Sequence, residues 1–101
     1  MIVEYIRYTI AVDRRSAFES AYGQAGAALQ ASPECHAYEL SRCVEEANEY
    51  ILRIEWDSLA AHMQGFRRSP QFRTFFASIQ PYVGDINEMR HYEITPIQGR
   101  A

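Results

Sequence analysis

The sequence predicts an α+β domain in which a four-stranded antiparallel sheet carries its helices on one face. Three observations predict it. Four short segments alternate apolar and polar residues, and two longer ones repeat their apolar residues at helical spacing. The order is strand, helix, strand, strand, broken helix, strand, a split βαβ arrangement. The chain of 101 residues is long enough for one core and too short for two.

The first strand is expected over Ile2 to Val12. Ile2, Ile6, Tyr8 and Ile10 share one face; Val3, Tyr5, Arg7 and Thr9 share the other. Ser16 to Ala31 predicts a helix opened by a capping box of Ser16 and Glu19, with Phe18, Tyr22, Ala25 and Leu29 on its apolar stripe. Gly23 and Gly26 cost helix propensity, about 1 kcal/mol each, and point to close packing of helix on sheet. Ser32-Pro33 ends the helix.

Cys35 to Cys43 and Glu49 to Asp57 predict two strands joined by the polar stretch 44–48, hence an antiparallel hairpin. Tyr50, Leu52, Ile54 and Trp56 share one face of the second. Asp57 or Ser58 then caps a short helix with Leu59, His62, Met63 and Phe66 on one side. Ser69-Pro70 opens the next, whose stripe is Phe72, Phe75, Phe76, Ile79 and Val83. A last strand spans Ile86 to Thr95, with Ile86, Glu88, Arg90, Tyr92 and Ile94 on one face and Met89 and His91 on the other. The expected division is one domain over 1–95 and a flexible tail over 96–101.

Helices cover one face of such a sheet. The other is expected to hold Val3, Tyr5, Thr9, Ile51 and Met89 among Arg7, Arg53 and His91, too apolar to leave in water. Two sheets packed face to face about a two-fold axis solve this, so a homodimer forming an α/β barrel is expected.

Composition narrows the function. The net charge of −3 argues against nucleic acid and against anionic membrane surfaces. The N-terminal segment lacks the pattern of a signal peptide, and no run is long enough to span a membrane, so a cytoplasmic protein is expected. Cys35 and Cys43 on one strand would stand roughly 26 Å apart, far beyond the ~7 Å reach of a disulfide. There is no CxxC, HExxH or Cys/His cluster, and no metal is expected. All ten basic residues other than histidine are arginine, which suits a GC-rich genome as well as anion binding.

The segment Ile54-Glu55-Trp56-Asp57-Ser58-Leu59-Ala60-Ala61-His62 is the most specific in the chain. With Phe66-Arg67-Arg68-Ser69-Pro70-Gln71-Phe72, Phe75-Phe76, and upstream Cys35-His36-Ala37-Tyr38-Glu39-Leu40, it resembles the antibiotic biosynthesis monooxygenase family over about residues 1 to 95. The resemblance implies a ferredoxin-like domain forming a dimeric barrel. It implies oxidation of a small phenolic or polycyclic aromatic with O₂, without flavin, haem or metal. The substrate is then its own electron donor, and the protein holds it in a dry pocket and stabilises its deprotonated form.

By that resemblance His62 is the candidate catalytic base, since a neutral imidazole suits proton abstraction from a phenol. Trp56, Tyr8, Leu52, Phe66, Phe72 and Phe76 are the candidate substrate-binding residues. Each also has a plain structural role: Trp56, Leu52 and the phenylalanines pack a core, and His62 sits on an apolar stripe. Leu52 stands where quinone-forming members carry Asn. Tyr5 or Arg7, Phe66 and Phe76 stand near the haem-branch positions, which argues against haem. The alternative is a non-catalytic dimeric barrel that binds an apolar metabolite.

Overall fold

A computed structural model describes residues 1–100. Six elements build the frame: β1 (Ile2–Thr9), α1 (Arg15–Gln30), β2 (Cys35–Arg42), β3 (Glu49–Trp56), α2 (Pro70–Ile79) and β4 (Ile86–Glu93). The sheet is antiparallel throughout in the order β2-β3-β1-β4. This is the ferredoxin-like βαββαβ arrangement, with the helices on one face. Among the described residues no helix is long and apolar enough to cross a membrane.

The core lies between sheet and helices. Tyr8 from β1, Leu52, Ile54 and Trp56 from β3, and Phe18, Tyr22 and Leu29 from α1 are all at most 4% exposed. Phe18 is its hub, with the rings of Tyr8, Tyr22, Tyr50 and Tyr82 packed around it at 4.9–5.2 Å. β3 buries every second residue, as a strand with one face on a core must. Ser58 is the residue that caps the helical turn after β3: its Oγ accepts from the Ala61 N–H at 3.0 Å. Ser69 caps α2 by accepting from the Phe72 N–H at 3.2 Å, with Pro70 at the first helical position.

The structure corrects five local expectations. β1 ends at Thr9, and a 3₁₀ turn over Val12–Arg14 leads directly into α1. Ser16 therefore lies inside the helix, and no capping box forms; the Glu19 carboxylate instead accepts from the Tyr50 hydroxyl. Gly26 does allow close packing, since a Cβ there would collide with the Tyr38 ring, but Gly23 faces open space. Leu59 and Met63 point outward, because residues Ala61–Gly65 form a π turn closed by an i→i+5 bond from the Phe66 N–H to the Ala61 carbonyl.

The fifth correction matters most. β4 carries a bulge opposite Arg7 and Tyr8, so Ile86 pairs with Tyr8 while Met89 pairs with Ile6 and His91 with Glu4. The extra residue reverses the alternation. Met89 and His91 therefore lie on the helix side, and Glu88, Arg90 and Tyr92 take the open face. That face holds Val3, Tyr5, Ile51 and Tyr92, with Tyr5 and Tyr92 edge to face at 5.5 Å. Its charges pair within the face: Arg53 with Glu55 at 2.6 Å, Arg90 with Glu88 at 3.2 Å and Arg7 with Glu88 at 3.8 Å.

Candidate functional site

A cavity of about 190 Å³ lies between the sheet and the segment from the π turn to α2. Its floor is Ile6, Tyr8, Ile54 and Trp56; its walls are Phe66, Phe72, Phe75 and Ile79; Phe76, Val83 and Met89 form a partly exposed apolar rim. Of the residues singled out from the sequence, His62, Trp56, Tyr8, Phe66, Phe72 and Phe76 line it. Leu52 does not. It is fully buried two residues down β3 and borders a separate groove between α1 and β2.

The aromatic walls form a continuous set. Phe66 packs on Trp56 at 4.9 Å, and edge to face on Phe72 and Phe75 at 5.6 and 5.7 Å. Arg67 extends over the Phe72 ring at 5.5 Å and borders the cavity. The Tyr8 hydroxyl is bonded to that of Tyr22, so it is occupied within the core. Burial pushes the Tyr8 phenol up to about 12.

One end of the cavity is polar, and most of it was missed in the sequence. Glu4 stands on the apolar stripe of β1 and is only 2% exposed. Its Oε1 accepts from the Trp56 indole N–H at 3.1 Å. His62, also 2% exposed, stacks flat on the Trp56 indole with ring centroids 4.4 Å apart. His62 Nε2 lies 3.5 Å from Glu4 Oε1, and His62 Nδ1 lies 2.7 Å from His91 Nε2. His91 Nε2 is 3.8 Å from Glu4 Oε2. The signal for Glu4 was present: it keeps the period of Ile2, Ile6 and Tyr8. His91 gave none, because the bulge reverses its face.

These Glu–His separations are ion pairs only if an imidazole is protonated, and the surroundings oppose that. Burial, reinforced by the charge of Arg67, lowers both histidines, and His62 falls to about 3. Burial raises Glu4, against the pull of the Trp56 N–H and Arg67. The neutral form of His62 therefore prevails at neutral pH. If His62 carries its proton on Nδ1, it donates to His91 Nε2, and its Nε2 presents a lone pair toward Glu4.

Among the described residues Glu4, His62 and His91 are the one trio whose ligand atoms all lie within 4.8 Å of one another. Two histidines and a carboxylate form a familiar set for a divalent cation. Here, however, His62 turns a different nitrogen to each neighbour. The trio is arranged as a hydrogen-bonded chain, not as three lone pairs converging on one point. The remaining thiols offer little chemistry: burial pushes Cys35 up to about 11, and neither Cys35 nor Cys43 is in a disulfide.

Known proteins resemble the chain in sequence and in fold. The chain is 29% identical over 76 residues to the uncharacterized protein YczJ of Bacillus subtilis (strain 168), covering 75% of this chain and 80% of that protein. Its fold resembles that of a conserved protein from Methanosarcina mazei Go1, with a TM-score of 0.78 at 15% identity, covering 93% of this chain and 92% of that one. It also resembles SnoaB, a cofactor-independent oxygenase from Streptomyces nogalater, with a TM-score of 0.71 at 18% identity, covering 97% and 94%. The family profile described as antibiotic biosynthesis monooxygenase matches residues 1–78, which carry β1 through most of α2 and thus every cavity residue but Ile79, Val83, Ile86 and Met89. The chain belongs to the antibiotic biosynthesis monooxygenase family.

Proposed function

We propose that this protein is a cofactor-independent monooxygenase that oxidises a small phenol or hydroquinone with O₂. The observation that carries the proposal is an aromatic-walled cavity of about 190 Å³ closed at one end by a buried, hydrogen-bonded carboxylate and imidazole. An apolar cavity of ~150 Å³ takes up one benzene ring, so the volume suits a single substituted ring better than a polycyclic one. In this reading Trp56, Tyr8, Phe66, Phe72 and Phe76 bind the ring, and His62 is the polar group that handles its proton. Leu52 supports the core behind them. Arg67 at the margin stabilises the phenolate that forms, since a nearby cation in a water-poor site favours an anion.

The working unit is residues 1–95, with 96–101 as a tail, acting as a cytoplasmic homodimer. Tyr5, Ile51 and Tyr92 on the uncovered face of the sheet support the dimer. Their neighbouring charges are already paired, which lowers the cost of burying them. Analytical ultracentrifugation should give twice the chain mass of 11.7 kDa, and a concentration-independent monomer would sink the dimer. Oxygen uptake with a panel of hydroquinones tests the activity. Wild type should consume oxygen above the autoxidation rate and His62→Ala should not. Tight binding of the same compounds without uptake would mean a binding protein instead.

A further inference from the structure

We propose that Glu4 is the base of the cavity and that His62 and His91 form a proton wire from it to solvent. This rests on reading the cavity as a phenol-oxidising site, and it assigns two residues that the family segment around Trp56 and His62 does not contain.

The geometry orders the three groups. Glu4 borders the cavity from β1, with Oε1 held by the Trp56 N–H. His62 is less available to a substrate. One face of its ring is stacked on Trp56, Nδ1 is bonded to His91, and Nε2 faces Glu4. His91 is the only member that reaches solvent, with 24% of its side chain exposed against 2–3% for the others. The chain thus runs from the cavity, through the core, to the surface. The 3.5 Å gap between Glu4 and His62 is long for a hydrogen bond. Such contacts commonly tighten when substrate is bound.

The charged and titratable groups around Glu4 agree with this order. They are His62 and Arg67 from the helical segment, His91 from β4, Tyr8 from its own strand and, behind Tyr8, Tyr22 from α1. Trp56 on β3 adds an N–H, and the residues of α2 that line the cavity are apolar. Burial raises Glu4 above the ordinary carboxylate value and so makes it a stronger base, whereas His62, at about 3, is too weak a base to accept a phenol proton alone.

The proton balance is simple. The phenol O–H bond breaks, an O–H bond forms on Glu4, and a phenolate remains; no electron moves in this step. The proton then passes from Glu4 to His62 Nε2 as the His62 Nδ1 proton passes to His91 Nε2. His91 releases its Nδ1 proton to water. Run in reverse, the wire returns a proton to the oxygen that the phenolate has reduced.

The test uses oxygen uptake with 2-methylhydroquinone, together with ¹⁵N NMR of the histidine rings. Glu4→Gln keeps the side-chain volume and an acceptor for Trp56, and it should lower kcat at least ~100-fold across the pH range. His91→Ala should lower kcat about tenfold with KM unchanged, and added imidazole should restore the rate. A Glu4→Gln rate within twofold of wild type, or no rescue of His91→Ala, overturns the wire. The NMR readout needs no turnover. In wild type the ring nitrogens of His62 and His91 should shift together in one titration that disappears in Glu4→Gln. Separate, unaltered titrations overturn the proposal, as would stoichiometric Zn²⁺ binding that moves both rings and requires Glu4. If no hydroquinone supports uptake by wild type, the oxygenase reading fails while the NMR still decides the wire.

Discussion

The buried hydroxyl pair of Tyr8 and Tyr22 gives a stability test that is independent of function. The two hydroxyls bond each other across the core, Tyr8 at 1% and Tyr22 at 4% exposure. Removing one hydroxyl leaves the other buried without its partner, which costs about 1–3 kcal/mol. Removing both leaves no orphan, so the double variant should be nearly neutral. The singles should differ. Tyr22 also borders the open groove beside α1, where water can replace a lost partner, so Tyr8→Phe should cost about 1 kcal/mol. Tyr22→Phe strands the Tyr8 hydroxyl beside an aromatic cavity and should cost about 2 kcal/mol. For a chain of this length each kcal/mol lowers Tm by about 4–8 °C. Urea unfolding followed by circular dichroism gives all four corners of the cycle, with equal m-values as the check on two-state behaviour. A coupling of about −3 kcal/mol is expected. Losses that simply add would refute the claim that the two hydroxyls satisfy each other.

Acidification should destabilise the fold between about pH 6 and pH 3. His62 falls to about 3 in the folded protein, so there the unfolded chain binds the proton first and stability drops by up to ~1.4 kcal/mol per pH unit. Glu4 works the other way, because its raised pKa makes the folded state take up a proton more readily; Glu4→Gln should therefore steepen the loss, measured as Tm against pH. Gly23→Ala should raise stability by about 0.5–1 kcal/mol, since nothing lies within 4 Å of the new methyl. Gly26→Ala should give no such gain, because Tyr38 must move; thermal melts of both variants decide it. Ile51→Arg places an unpaired charge on the open sheet face and should convert the proposed dimer to monomer in sedimentation, whereas an unchanged mass would place the interface elsewhere. Glu4→Met should abolish oxygen uptake and destabilise the fold by about 1–3 kcal/mol, because it leaves the buried Trp56 N–H without its acceptor; an unchanged Tm would refute this.

The elements legible in the sequence are those where one period runs without interruption. β3 shows strict alternation from Glu49 to Trp56, and α1 keeps its stripe from Phe18 to Leu29. The aromatic side of the cavity follows from the same patterns. Trp56 must face the helices once Tyr50, Leu52 and Ile54 do, and the phenylalanines of α2 must face back. Leu52 shows the limit of such reasoning. Alternation gives the face of a residue but not its distance from a cavity, and Leu52 packs on the correct face beside the wrong groove.

The polar end was illegible because three departures from regular structure meet there. A bulge in β4 turns His91 to the helix side, a π turn sets His62 against Trp56, and Glu4 interrupts an apolar stripe. Each carries a cost. The bulge gives up ladder pairing, the π turn gives up regular helix geometry, and a buried carboxylate loses its hydration. Any one of them could be absorbed as local packing. Their convergence is harder to explain that way, since a core closed with apolar residues at positions 4, 62 and 91 would satisfy the sheet and helices at lower cost. Bulges and π turns recur where a side chain must be aimed, and local rules are most often broken where function requires it. This convergence supports the polar end of the cavity as its working part, and it explains why the residues there resist any single periodic pattern.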